Sequence, residues 1–255
     1  MTPAAAPVPP SASIRAAKAL GDRRAQPRID WVARLLGISP RDAAKPFAEL
    51  GPMVSLETQV RAAHRSEGRS FYAQFRAPLE LFALTRLIRP AHVIETGVSS
   101  GVSSMHFLLG LRENGTGTLH SIDWPTHQKS ATFTKEDSPV ALPPGRASGW
   151  AIPEGISPGW DLRLGRSEAI LPGLVDSLPR VDLFLHDSYH SPRHLTFELE
   201  AVEPKLVPGS VVLADNTEWT GDAFPRFAAR VGAKVFRRGR TDLVGLRMPG
   251  RPETA

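Results

Sequence analysis

The chain is 255 residues long with 31 Lys+Arg against 26 Asp+Glu, a formal net charge of +5 and no cysteine, which allows one substantial core with extensions rather than two full domains. Without cysteine there are no disulfides, thiolate nucleophiles or cysteine-held zinc or iron–sulfur clusters. No apolar run approaches the ~18–20 residues of a membrane span and MTPAAAPVPPSAS has no basic-then-apolar signal pattern, so a cytoplasmic protein without a membrane partner is predicted.

Residues 1–13 are rich in Ala, Pro and Ser and are expected to be a disordered tail, since they offer little to bury. Residues 14–90 read as a helical N-terminal extension or cap. Prolines at 27, 40, 46, 52, 78 and 90 divide it into short helices. The clearest helix runs from Leu79 to Ile88, where positions 79, 81, 82, 84, 87 and 88 make one broad apolar face and Pro90 follows as a stop. Phe71, Tyr72 and Phe75 are candidates for pocket walls or for core. Charge is uneven: 14 Lys+Arg against 7 Asp+Glu over residues 1–90, but 9 against 16 over residues 91–220. An acidic middle argues against a nucleic-acid partner, whose phosphates would want a basic active face.

The stretch Val93 to Ser104, VIETGVSSGVSS, joins an apolar strand to a helix through an acid and two glycines. Gly97 and Gly101 permit a sharp turn and a close approach that a Cβ would block. The helix that follows, expected from Ser103, offers free N–H groups to an anionic group. Dinucleotide-binding turns use Gly-x-Gly-x-x-Gly instead, and that spacing is missing here.

From residue 91 strands and helices alternate: strands at 92–95, 118–123, 161–165, 181–187 and 210–216, with helices from Ser103, Glu168 and about Gly221. Such alternation predicts a parallel sheet covered on both faces. The end, AKVFRRGRTDLVGLRMPG, reads as two strands meeting at Arg238-Gly239-Arg240, a hairpin with no room for a crossover helix. The expected fold is α/β: a Rossmann-like, seven-stranded, mostly parallel sheet with a C-terminal antiparallel hairpin over residues 91–250. Residues 124–160 break the rhythm and form an insert, rich in proline but carrying Trp124, Phe133, Trp150 and Trp160. We read it as packed over a cofactor.

Candidate chemistry collects at the carboxyl ends of these strands, where open α/β sheets bind ligands. Asp123 closes the second strand and can accept hydrogen bonds from both hydroxyls of a ribose. Trp124 beside it can stack on a base or anchor the insert. Ser167 stands where an N-cap would. The runs LFLHDSYH and VVLADN each place an acid at the end of a buried strand, so that Asp187, Asp215 and the amide oxygen of Asn216 converge. Such hard oxygen ligands suit Mg²⁺. His190 follows three residues after Asp187, and the unperturbed histidine pKa of ~6.5 suits a general base.

These motifs resemble class I S-adenosylmethionine-dependent methyltransferases, and over about residues 92–247 they look like the catechol O-methyltransferase group. The His-Asp-Ser-x-His run and Gly149-Trp150-Ala151-Ile152-Pro153 are still more similar to a bacterial branch of predicted methyltransferases. The resemblance implies that Glu95, Gly97, Gly101, Ser103, Asp123, Trp124, Ser167 and Glu168 bind S-adenosyl-L-methionine, with the glycine turn under its methionine part and Ser167 and Glu168 facing adenine. It implies that Asp187, Asp215 and Asn216 hold Mg²⁺ or another divalent cation, with Asp187 and His190 as catalytic residues. The chain departs from the group in its long insert, its short final hairpin and His190, where the group has lysine. The expected activity is O-methylation of a small hydroxylated molecule, by a monomer or homodimer. A metal-independent or N-directed enzyme, an RNA methyltransferase and a cofactor binder without catalysis are the alternatives.

Overall fold

The computed structural model describes residues 25–50, 58–60, 62–66, 75, 77–125, 142–239 and 241–250. The tail expected at 1–13, together with Phe71, Tyr72 and Phe133, lies outside them.

Among the described residues, helices α1 (Gln26–Leu36), α2 (Pro40–Ala48) and α3 (Pro78–Ile88) precede β1 (His92–Thr96), with further helical residues at 58–60 and 62–66. The chain continues through α4 (Val102–Asn114), β2 (Thr118–Asp123), β3 (Trp160–Leu164), α5 (Ser167–Ser177), β4 (Val181–His186) and α6 (Pro192–Val202). It ends with β5 (Leu206–Ala214), α7 (Ala223–Arg230), β6 (Phe236–Arg237) and β7 (Val244–Arg247). The strands form one seven-stranded sheet in the order β3-β2-β1-β4-β5-β7-β6. Strands β1 to β5 are mutually parallel, and β7 runs antiparallel to both β5 and β6. The predicted fold is therefore the observed one. Element boundaries differ from the expected ones by a residue or a few, and the strand leading to Asp215 starts earlier, at Leu206.

Alternation along the strands sorts the core into two layers. Val93, Leu183, Leu185, Val211 and Leu213 face α1 to α4, while Ile94, Phe184, Val212 and Ala214 face α5 to α7. Phe75 is buried in the first layer, as core and not as a pocket wall.

The N-terminal helices are part of that first layer. Trp31 is fully buried, and its indole N–H donates to the Phe236 carbonyl at 3.0 Å. A Cβ on Gly245 would lie 3.2 Å from Leu35 and 3.3 Å from Trp31, so glycine lets α1 settle on β7. Arg247 donates to the Leu36 carbonyl at the end of α1 at 2.7 Å. Pro27, Pro40 and Pro78 sit in the first turn of their helices, where a missing N–H costs nothing. They start these helices as well as dividing the segment.

The contact between the N-terminal helices and the terminal hairpin centres on Glu80 of α3, which is fully buried. Its carboxylate receives Arg28 of α1 at 2.7 Å and Arg238 of the terminal hairpin. Removing one partner of a buried ion pair leaves an uncompensated charge and costs about 3–5 kcal/mol. Glu80→Ala, which strands two guanidinium groups, is expected to lower unfolding stability in urea by that order. An unchanged midpoint would show that the charges are not structurally linked.

Candidate active site at the carboxyl edge of the sheet

The loop from Gly97 to Gly101 leaves β1 and enters α4. Gly97 has φ +87°, and a Cβ there would lie 2.0 Å from the Asp187 carbonyl oxygen. Gly101 has φ +92°, and its Cβ would lie 2.5 Å from Ile152 and 3.0 Å from Gly149. The close approaches these glycines allow are thus, in this structure, approaches of the β4 loop and of the insert. Ser99 between them also has a left-handed φ of +48°.

Under the loop lies Glu95, fully buried on the α4 side of β1. Ser104 and Ser121 donate to its carboxylate at 2.6 and 2.9 Å. Burial pushes its pKa up to about 7, against the pull of hydrogen bonds from Ser103, Ser104 and Ser121. Glu95 and Ser103 therefore support the loop from beneath.

Asp187 and Asp215 stand one residue beyond their strands. The Asp187 N–H continues the ladder to Thr96 at 2.9 Å, and the Asp215 N–H does the same to His186 at 3.0 Å. Withdrawal from water and the charge of Asp123 push the Asp187 carboxyl well above its usual range. Burial and the charge of Asp187 push Asp215 up to about 7. Asn216 follows in the left-handed conformation, φ +51°, and begins the short turn Thr217–Trp219. His190 brings Nε2 within 3.6 Å of Asp187 and packs edge-on against His186 and Trp219. Asp187, Asp215 and His190 are thus brought together, with Asn216 next in the chain. Among the described residues no three His, Cys, Asp or Glu side chains form a ready metal cluster. The donor set here is two mutually repelling, desolvated carboxylates and a neighbouring amide, chemistry that a divalent cation would relieve.

The residue that binds these parts together is Glu198, which the sequence analysis did not single out. It is fully buried on α6. One carboxylate oxygen accepts from Thr96 at the end of β1 and from His186 at the end of β4, each at 2.7 Å. The other accepts from Ser188 and pairs with His194 Nε2, both at 2.9 Å. Burial alone would raise this carboxyl, but the charges and hydrogen bonds of His186 and His194 outweigh it and hold the group far below the usual carboxylate range. The available signal was the spacing of His194 and Glu198, four apart on one helical face.

His194 carries the network to the start of α5. Its Nε2 lies 3.1 Å from Ser167 Oγ, and its Nδ1 lies 3.3 Å from Glu168. Ser167 is the first helical residue and not the cap. Arg166 takes the cap position without a side-chain bond, so the Ser167 hydroxyl is directed to His194. At the end of β2, Asp123 accepts from the Val98 N–H at 3.1 Å and from the Ser148 hydroxyl. Trp124 is 59% exposed, with the Arg166 guanidinium 4.1 Å from its ring centre.

Residues 94–217 match the sequence family described as "Methyltransferase domain". No curated protein matches the chain in sequence. Among solved structures, it is similar to the O-methyltransferase TomG from Streptomyces achromogenes, described as involved in tomaymycin synthesis and in complex with S-adenosylmethionine. The identity is 18%, the TM-score 0.51, and the match covers 77% of this chain and 90% of that one. A methyltransferase of Podospora anserina, PaMTH1, bound to S-adenosylhomocysteine, matches at 14% identity and TM-score 0.52 over 76% of this chain and 87% of that one. Cofactor-bound Rv0187 from MTB matches at 16% identity and TM-score 0.51 over 89% of this chain and 98% of that one.

Two outcomes follow from the geometry. Gly97→Ala forces a methyl into the Asp187 carbonyl, and is expected to lower the melting temperature and displace the β4 loop. A melting curve superimposable on that of the unaltered chain would contradict the close approach. For Glu198, the folded pKa lies below the unfolded value of ~4.3, so its stabilisation is present above that pH and is lost as pH falls. Glu198→Gln is expected to flatten the acid limb of a stability–pH curve. An unchanged acid limb would show that this carboxylate does not govern acid stability.

Proposed function

We propose that this chain is a class I, S-adenosylmethionine-dependent methyltransferase that methylates an oxygen atom of a small hydroxylated molecule with the help of a divalent cation; the match of residues 94–217 to a methyltransferase domain and the shared fold support the first part of that reading. The observation that carries the reading is the meeting of Asp187, Asp215 and His190 at the carboxyl edge, beside the glycine loop and Asp123. At this edge the charge of Asp123 helps to raise the pKa of Asp187, and the charge of Asp187 helps to raise that of Asp215. That is an environment that favours a cationic ligand. It agrees with the sulfonium and ammonium charges of the cofactor and disagrees with a polyphosphate or nucleic-acid ligand.

S-adenosylmethionine supplies an electrophilic methyl group on its sulfonium. In this reading Asp123 accepts the ribose hydroxyls, Ser167 and Glu168 face the adenine beside Trp124, and the Gly97–Gly101 loop, supported by Glu95 and Ser103, lies under the methionine part. Asp187, Asp215 and Asn216 would hold the divalent ion, which would lower the pKa of an acceptor hydroxyl. His190 takes the hydroxyl proton, and Asp187 at 3.6 Å orients the imidazole. The new O–C bond forms as the C–S bond breaks, and S-adenosylhomocysteine leaves. Holding the oxygen in line with the methyl group removes much of the entropic barrier. The family resemblance and the cofactor-bound structural neighbours support this assignment.

Calorimetry tests it directly. Metal-stripped protein is expected to bind S-adenosylmethionine, and to show a Mg²⁺ heat that disappears in an Asp215→Ala, Asn216→Ala double variant. Absence of cofactor binding would sink the assignment, and a Mg²⁺ heat retained in the double variant would remove the metal site alone. Once a screen of hydroxylated acceptors gives turnover, His190→Ala is expected to lose about 10²–10⁴-fold in rate. Full turnover would exclude His190 as the base.

A further inference from the structure

The insert between β2 and β3 makes contacts that the methyltransferase reading does not use. Its turn from Ser148 to Ile152 is hydrogen-bonded to the Gly97–Gly101 loop. The Gly149 N–H donates to the Ser99 carbonyl at 2.7 Å, and the Ala151 N–H donates to the Ser100 carbonyl at 3.1 Å. Ile152 fills the face of Gly101 where a Cβ would be. Ser148, 6% exposed, gives its hydroxyl to one oxygen of Asp123, while the Val98 N–H holds the other at 3.1 Å.

The turn is itself fixed to the core. A Cβ on Gly149, which has φ +76°, would fall 2.3 Å from the ring of Trp160, so glycine lets the turn rest on that indole. Trp160 Nε1 donates to Ser121 at 2.9 Å, and Ser121 donates to the buried Glu95 at 2.9 Å. His64, from the N-terminal layer, packs edge-on against Trp150 with ring centres 5.1 Å apart. The loop is thus held from below by Glu95 and from its side by a segment anchored to the same carboxylate through Trp160.

We infer that the Ser148–Ile152 turn positions the cofactor site: Ser148 fixes the Asp123 carboxylate for the ribose hydroxyls, and Ile152 fixes the Gly97–Gly101 loop for the methionine part. The inference rests on the cofactor reading proposed above and adds two residues to it. A carboxylate has lone pairs to spare, so Asp123 can keep the Ser148 and Val98 bonds while accepting a diol. What Ser148 removes is rotational freedom, and a group already ordered before binding loses less entropy on binding. Ile152 has the same role for backbone: it opposes relaxation of a loop that carries two positive-φ glycines and Ser99 at φ +48°.

The two residues act on different parts of one ligand, and that separates positioning from general stability. S-adenosylhomocysteine contains both parts, whereas 5′-methylthioadenosine keeps the ribose and lacks the amino-acid end. Titrating both into the full chain by calorimetry, with melting temperatures recorded alongside, tests the assignment. Ser148→Ala is expected to weaken both ligands by about three- to tenfold, the worth of one hydrogen bond, and Ser148→Thr is expected to restore them. Ile152→Ala is expected to weaken S-adenosylhomocysteine by a similar factor while leaving 5′-methylthioadenosine within about twofold, and Ile152→Val is expected to restore most of the loss. Unchanged affinities overturn the inference. So does an equal loss of both ligands in both variants in step with melting temperature, since that is what a merely structural role would give. If the unaltered chain binds neither ligand, the cofactor reading itself fails and the inference with it.

Discussion

The candidate site depends on one buried carboxylate. Glu198 sits on α6, yet its partners lie at the ends of β1 and β4, in the β4 loop and one turn back on its own helix. An ionised carboxylate without water needs its lone pairs satisfied by donors. Here Thr96, His186, Ser188 and His194 provide them. Because His194 also meets Ser167 and Glu168, one charge sets the relative position of the β4 loop and the start of α5. Those are the elements proposed above to face the acceptor and the adenine of the cofactor. Sheet pairing alone would align the strands but leave the loops beyond them free to vary.

On the other face of β1 a second buried acid has the corresponding role. Glu95 is held by hydroxyls from α4 and β2, and through Ser121 and Trp160 it is linked to the insert. Thr96 and Glu95 are adjacent in sequence, and alternation along the strand sends them to opposite layers. The turn after β1 is therefore braced from both sides of the sheet. The glycines in it serve mainly to let Asp187 and Ile152 come close. Acids that approach one another above this framework are costly without a compensating positive charge, and their placement makes sense for a site that receives one.

The remaining layer is supplied by the chain's own beginning. Helices α1 to α3, in the segment expected as an extension or cap, cover the sheet and are bonded to the final hairpin through Trp31, Glu80 and Arg247. Among the described residues no helix is long and apolar enough to cross a membrane. The large hydrophobic side chains left exposed among these residues are Trp124, Leu164, Tyr189 and Trp219. All four lie at or just beyond strand carboxyl ends, on the edge that carries the site.

The sequence by itself determined the sheet and the acids that stand at its carboxyl edge. Buried parallel strands read as apolar runs, a hairpin without crossover length must be antiparallel, and an acid after an apolar run marks a carboxyl edge. Asp123, Asp187 and Asp215 were found by these local rules. What local rules do not contain is which distant groups meet. Along the chain Glu198 is one charge among several on its helix, Ser148 stands in an insert without periodicity, Ile152 belongs to a motif that carries a resemblance but no role, and Trp31 and Glu80 fall in a proline-divided helical segment. Their roles arise only when strand order brings β1 beside β4, when α6 lays one face over both, and when α1 and α3 meet the terminal hairpin. Burial turns an ordinary glutamate or serine into a determinant of geometry, and burial is a property of the packed molecule, which spacing along the chain does not encode.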